Sequence, residues 1–153
     1  MRNQKRLLVE QLDRRLEPFI GMEKITVPDK GWIHNIRTSL NMTLEQLGHK
    51  LSITKQGVKR IEESEASETI SLKSLKGIGN ALEMKLIYGF VPNHGSIENL
   101  IDQKAKKLAE KIVLRTNHNM MLENQETGKE NIERAIQELT NEIKLEMRKS
   151  IWD

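Results

Sequence analysis

Two pairs of polar side chains, Lys55-Gln56 and Lys59-Arg60, lie within one six-residue stretch of the chain. Lysine can donate hydrogen bonds to guanine O6 and N7, and glutamine can pair with adenine N6 and N7. Lysine and arginine also bind phosphate oxygens. These residue types predict base contacts from the first pair and phosphate contacts from the second. The alternative is the solvated face of a short helix, which is a common role for exposed basic residues.

Other kinds of chemistry find little support in the 153 residues. The chain has no cysteine, which excludes disulfides and thiolate metal sites. It shows no Ser-His-Asp or Cys-His arrangement and no glycine-rich phosphate loop, so we expect no enzyme, no cofactor and no metal. The four histidines are scattered, and no two share helical ligand spacing: His34, His49, His94 and His118.

The net charge of +3 permits an anionic partner without proving one. No apolar run is long enough to cross a bilayer, and no apolar signal core follows the N-terminus. We therefore expect a cytoplasmic protein that does not enter a membrane.

Two short helices are predicted around the basic side chains, one over 44–51 and the other over 55–63. Helix N-termini present backbone N–H groups to phosphates. The predicted DNA contacts lie at three helix starts: Thr43, Leu44, Thr54, Lys55, Gln56, Lys59, Arg60 and Ser71.

Two short helices that cross steeply need a small residue where one passes over the other. Gly48 supplies it, and Val58, ten positions later, faces back. Ser52 lies in the tight turn, where glycine is common because one residue is left-handed. The remaining apolar positions of the pair are Leu44, Leu47, Leu51, Ile53 and Ile61. This pattern predicts a helix-turn-helix in which Lys55 and Gln56 face the major groove.

The sequence predicts a mainly all-α protein with four regions along the chain. The ranges are 1–29 for an N-terminal helix and connector, 30–83 for the DNA-binding domain, 84–95 for a strand and turn, and 96–153 for a C-terminal helical region. Within the DNA-binding domain, Asp29 is predicted to cap a helix over 30–41, and residues 64–70 are predicted to form a loop.

The segment 84–91 is rich in β-forming residues and ends at Pro92, which predicts one short strand. A lone strand leaves unpaired edges, so we expect it to pair with a second copy and form a homodimer that reads a palindrome. Pairing with residues 25–27 of the same chain is the alternative. The predicted dimer contacts are Leu86, Ile87, Tyr88, Phe90 and Val91.

The C-terminal region predicts two long helices, one over 96–125 behind a cap at Ser96 and one over 130–151, separated by a break at 127–129. Both carry apolar stripes, so we expect them to pack on each other or on the dimer mate. The N-terminal helix, with Leu8, Leu12 and Leu16, is expected to join that bundle. The residues predicted to bind a protein partner are His118, Glu123 and Gln125.

Residues 43–62 with their flanking helices resemble the Cro/phage-repressor helix-turn-helix family. Most of the chain also resembles the family called mobile mystery protein A. The segments that carry this second resemblance are 31–33, Ile36-Arg37, 42–44, Gln46-Leu47, 69–72, Ala81-Leu82, 86–92, 118–125 and 151–153.

The second resemblance implies an antitoxin-like regulator encoded beside a Fic-domain protein, mobile mystery protein B. Known Fic inhibitors carry Ser/Thr-x-x-x-Glu-Gly/Asn. Here Thr69 follows the nearest such spacing, Ser64 to Glu68, and Asn119 replaces the hydroxyl residue before Glu123-Asn124. We therefore expect a transcriptional repressor that autoregulates its operon. The alternative is an antitoxin that inhibits the Fic protein directly, with DNA binding secondary.

Overall fold

The computed structural model of the protein describes residues 2–116 and 125–153. These residues are mainly helical, as the sequence predicts. The seven α-helices among them are α1 (Arg2–Leu16), α2 (Trp32–Ser39), α3 (Leu44–Leu51), α4 (Lys55–Ala66), α5 (Leu72–Ala81), α6 (Ile97–Thr116) and α7 (Gln125–Glu146). Short 3-10 helices cover Glu17–Phe19, Met22–Lys24 and Lys149–Trp152.

The chain divides into two compact units. The central unit is Glu23–Tyr88, which contains α2 to α5. The terminal unit combines Met1–Met22 with Gly89–Asp153, and so contains α1, α6 and α7.

The core of the central unit lies between its four helices. Leu47 of α3 and Val58 of α4 are fully buried, and Ile33, Ile78 and Leu82 are almost so. All five are positions that the helical spacing of the sequence predicts to face inward. Burial of side chains of this size stabilises the unit by about 1.5–3 kcal/mol each, so a few contacts orient all four helices.

The start of α2 differs from the prediction. The helix begins at Trp32, and Asp29 does not cap it. Its first N–H groups, of Trp32 and Ile33, donate instead to the Glu65 carboxylate of α4, at 3.0 and 2.8 Å. Gly31, at φ +86°, makes room, since a Cβ there would lie 2.7 Å from Glu65 Oε1. Helix α4 extends to Ala66 and so includes this carboxylate, and the loop predicted at 64–70 begins three residues later than predicted.

The predicted strand over 84–91 is not seen, because residues 84–92 of the described chain have no regular secondary structure and join no β-ladder. Residues 25–27 join none either, so the predicted alternative of pairing within the chain is wrong. Val91 is half-buried, and Ile87, Tyr88 and Phe90 are 63%, 57% and 81% exposed. A strand requires hydrogen-bonded neighbours, and a single copy offers this segment none.

In the terminal unit, α6 and α7 pack on each other, as predicted. Ala105 and Ala109 of α6 meet Ile143 of α7, and all three are fully buried. Helix α7 runs through Gly128, so the predicted break at 127–129 is wrong. One glycine costs a helix only about 1 kcal/mol, which the burial of Ile132 and Ile143 on the same helix outweighs.

Helix α1 contacts α6, and one carboxylate of α1 caps the start of α6. Asp13 accepts hydrogen bonds from the N–H groups of Ile97 and Glu98, at 2.7 and 3.2 Å. Ser96 adds the predicted cap, accepting from the N–H of Asn99 at 3.0 Å. The leucine stripe of α1 is only partly covered, since Leu8 remains 63% exposed.

Truncation of Ile143 to alanine removes a fully buried side chain from the α6–α7 contact. We expect Ile143→Ala to lower the free energy of unfolding by about 2–5 kcal/mol. Chemical denaturation followed by circular dichroism measures it. Leu145→Ala is the control on the same helix, because Leu145 is 62% exposed and its loss should change stability little. Equal effects of the two substitutions would contradict this packing.

Candidate nucleic-acid interface

Helix α3 begins with reciprocal caps. The Thr43 hydroxyl oxygen accepts the N–H of Gln46 at 3.1 Å, and the Gln46 side-chain oxygen accepts the N–H of Thr43 at 2.8 Å. The first N–H groups of a helix have no partners within it, so those of Leu44 and Glu45 point outward at this end. The Leu44 side chain itself packs against the core. Only its backbone therefore remains for a ligand.

The turn after α3 is tight. Ser52 adopts the left-handed conformation, at φ 56° and ψ 40°, at the position where the sequence predicts it. The N–H of Ile53 donates back to the carbonyl of Gly48 at 2.9 Å. A Cβ on Gly48 would lie 2.7 Å from the carbonyl oxygen of Ile53, so the turn closes only over glycine.

The turn leads directly into the start of α4. The Thr54 hydroxyl oxygen accepts the N–H of Gly57 at 3.1 Å, so Thr54 is the N-cap. Val58 and Glu62, one turn apart, are buried on the inner side of α4. The four polar side chains of the predicted interface lie on the remaining faces, and all are exposed: Lys55, Gln56, Lys59 and Arg60.

These basic groups are not neutralised. Within residues 2–116 and 125–153, no carboxylate oxygen lies within 4 Å of the charged nitrogens of Lys55, Lys59 or Arg60. The carboxylates of Glu62 and Glu65, on the second half of α4, are engaged with α2. Helix α4 thus has exposed cations without ion pairs at its start, and toward its end two engaged carboxylates and one exposed carboxylate, Glu63.

A buried ion pair fixes the inner side of α4. Arg37 of α2 places Nε 2.5 Å from Glu62 Oε1 and Nη2 3.3 Å from Oε2. Arg37 Nη1 also donates to the carbonyl of Met42 at 2.8 Å, and His34 Nδ1 lies 3.3 Å from Glu62 Oε2. Glu62 is therefore buried, although it lies in a highly charged stretch of the sequence. The signal that could have found it is the i, i+4 spacing of Val58 and Glu62.

All eight residues of the predicted DNA interface lie in the central unit, seven of them on α3, its turn and α4. Ser71 caps α5, its hydroxyl oxygen accepting the N–H of Ser74 at 3.1 Å. The predicted partner-binding residues His118 and Glu123 lie outside the described residues. Gln125 begins α7, and its side chain is likewise outside them.

Comparison of the chain with protein-family models, with curated proteins and with solved structures gives no match. Among the residues that the structure describes, no helix has the length and apolarity to span a membrane. The same residues contain no group of three or more histidine, aspartate or glutamate side chains able to hold a metal ion.

A methyl group at Gly48 tests the closeness of the turn to α3. Since the Cβ would meet a backbone oxygen, we expect Gly48→Ala to lower the free energy of unfolding by about 1–3 kcal/mol. Gly77→Ala is the matched control, because a Cβ at Gly77 in α5 meets nothing within 4 Å. Alanine there should stabilise the helix by up to about 1 kcal/mol. Thermal melts show which substitution stabilises the protein and which destabilises it. A Gly48→Ala protein as stable as the parent would contradict the close approach of the turn to Gly48.

Proposed function

We propose that this protein is a sequence-specific repressor that binds double-stranded DNA through a helix-turn-helix of the Cro/phage-repressor type. In this proposal α3 and α4 are the two helices of the motif, and α4 is the recognition helix. The observation that carries it is the exposed, uncompensated basic start of α4, which projects from a helix anchored on its inner side.

The roles of the side chains follow from their positions on α4. Residues at the start of a recognition helix reach base edges in the major groove, which assigns that role to Lys55 and Gln56. Lys59 and Arg60, one turn further along, bind phosphates and set the register on the duplex. The outward N–H groups at the start of α3 contribute a further phosphate contact, because the positive end of the helix dipole lies there.

The regulatory setting follows from the resemblance to mobile mystery protein A. In this proposal the repressor binds upstream of its own operon, which also encodes a Fic-domain protein, and so limits expression of both. Direct inhibition of the Fic protein through residues 118–125 is the alternative. The neighbouring gene tests the regulatory setting itself. A footprint on the upstream DNA discriminates between the two alternatives, since direct inhibition requires no operator.

We further propose that the protein binds DNA as a homodimer, in which residues 85–91 of two copies pair as strands. The support is the β-forming composition of this segment, the absence of a β-ladder to it within the described chain, and the exposure of Ile87, Tyr88 and Phe90 in one copy. Pairing would satisfy one edge of the backbone and cover part of this apolar surface. Two recognition helices about one DNA turn apart would then read a palindrome.

Substitution of the base-reading pair tests the proposed function. We expect Lys55→Ala with Gln56→Ala to abolish the preference for the operator over random DNA, at a cost of about 1–3 kcal/mol per lost contact. Competition binding of full-length protein to footprinted upstream DNA measures that preference.

The matched control removes two neighbouring side chains from the same helix. Lys59→Ala with Arg60→Ala should weaken binding to all sequences alike and lower the salt dependence, because phosphate contacts carry no sequence information. Helicity should be that of the parent in both variants, since all four side chains are exposed. Retention of full operator preference by the Lys55/Gln56 variant would show that α4 is not the recognition helix.

A proline at position 88 tests the dimer. Tyr88→Pro removes one backbone donor from the paired segment, so we expect the dimer to dissociate and operator affinity to fall. Tyr88→Thr is the control, because it also removes the ring, which lies 5.6 Å from Lys76 Nζ, but keeps the donor and a β-branched side chain. Analytical ultracentrifugation gives the masses. A proline variant that stays dimeric with parental operator affinity would show that residues 85–91 do not form the dimer interface.

A further inference from the structure

A line of cations follows one flank of α6. Three of its members are exposed and Lys104 is half-buried. They recur at spacings of three and four residues, so they share one side of the helix over about 16 Å. We call this set the α6 basic stripe; its members are Lys104, Lys107, Lys111 and Arg115.

The stripe has no carboxylate partner. In the described ranges, no carboxylate oxygen lies within 4 Å of a charged nitrogen of its four members. Glu110, three residues after Lys107, comes no closer than this. Asp102 of α6 is already engaged, since it pairs with Lys144 of α7 at 3.0 Å. The stripe therefore presents four positive charges that are not compensated by contact.

The neighbouring helix has the opposite character. Helix α7 exposes Glu130, Glu133, Glu138 and Glu142. Helices α6 and α7 share a buried core, and the pair carries net positive charge on α6 and net negative charge on α7, although α7 also exposes Lys129 and Arg134. An anionic surface would thus attract the α6 side and repel the α7 side, which orients the pair on it.

The chemistry of the stripe favours nucleic acid over a lipid surface. A helix that lies in a membrane interface buries an apolar face among the lipids. Most of the apolar face of α6 is already covered within the terminal unit, where Ala105, Ala109 and Val113 are buried. Only Ile112 and Leu114 remain exposed among its large apolar side chains, at 36% and 44%. The stripe thus offers four charges beside little apolar surface to insert, which suits the repeating phosphates of a DNA duplex.

We propose that the α6 basic stripe is a second phosphate-binding site, which binds the DNA backbone outside the base pairs that α4 contacts. The inference rests on the proposed DNA-binding function and extends it to the terminal unit. The covalent link between the two units gives the stripe a high effective concentration near DNA already bound by α4. The stripe adds affinity and salt dependence and leaves sequence preference unchanged, because phosphates carry no sequence information.

The experiment compares two triple variants of the full chain. The stripe variant carries Lys107→Gln, Lys111→Gln and Arg115→Gln. The control variant carries Lys106→Gln, Lys129→Gln and Arg134→Gln, which removes the same three charges from exposed positions of α6 and α7 outside the stripe. Each is titrated over a range of salt concentrations against two duplexes. One is the footprinted core site alone, and the other is that site with 15 added base pairs on each side.

With the flanked duplex, we expect the stripe variant to bind about 10- to 100-fold more weakly than the parent near physiological salt. The slope of log K against log salt should fall by about 2.7, which is 0.9 for each of three lost contacts. The control variant should match the parent. Trimming the duplex to the core should weaken the parent and leave the stripe variant unchanged. Circular dichroism should show parental helicity and melting in both variants.

Three results would overturn the inference while the proposed function stands: parental binding of flanked DNA by the stripe variant, equal losses in both variants, or equal trimming effects in parent and stripe variant. Loss of binding to phosphatidylserine vesicles with unchanged DNA binding would likewise overturn it, in favour of a lipid surface. A parent that binds neither duplex would overturn the proposed function and, with it, the stripe's role on DNA.

Discussion

The buried pair of Arg37 and Glu62 is the constraint on which the central unit depends. Isolated burial of either charge would cost several kcal/mol, and removal of one partner from such a pair typically costs about 3–5 kcal/mol. The pair therefore admits few alternative positions of α2 against α4. Glu65, one turn further along α4, strengthens this constraint by capping α2. Two carboxylates on one helix thus align its neighbour, and the outer face of α4 acquires a fixed direction.

The helix starts that a local side chain caps could be read from the sequence, whereas those capped from a distance could not. Thr43, Thr54 and Ser71 each accept an N–H three residues later, so a short window contains all the information. Glu65 caps a helix that begins 33 residues earlier, and no local pattern reveals that. The predicted break at Gly128 failed for a related reason. Propensity is a local quantity, and burial against a distant helix overrode it.

For the candidate interface, the sequence predicts the exposure of the α4 side chains and the geometry of the turn before α4. Left-handed Ser52 and exposed Lys55, Gln56, Lys59 and Arg60 follow from the periodicity set by Leu47 and Val58, since an inward residue on a helix dictates which neighbours face outward. The periodicity did not predict which carboxylates of α4 contact another helix. Only the fold shows that Glu62 and Glu65 are used by α2 and that exposed Glu63 makes no contact within 4 Å with Lys59 or Arg60.

Helices α4 and α6 each expose several cations close together. A glutamate one turn away from a cation, paired with it, would stabilise the helix by about 0.2–0.5 kcal/mol per pair. Each helix does carry a glutamate one turn from a cation, Glu63 after Lys59 and Glu110 after Lys107, but neither glutamate lies within 4 Å of that cation. In α4 the other two carboxylates, Glu62 and Glu65, turn inward to α2. Beside α6, helix α7 exposes several glutamates. A face that served only solubility would gain from mixing its charges. The four cations of the α6 basic stripe, which contact no carboxylate in the described chain, form a line of positive charge about 16 Å long, close to the length of five base pairs of duplex.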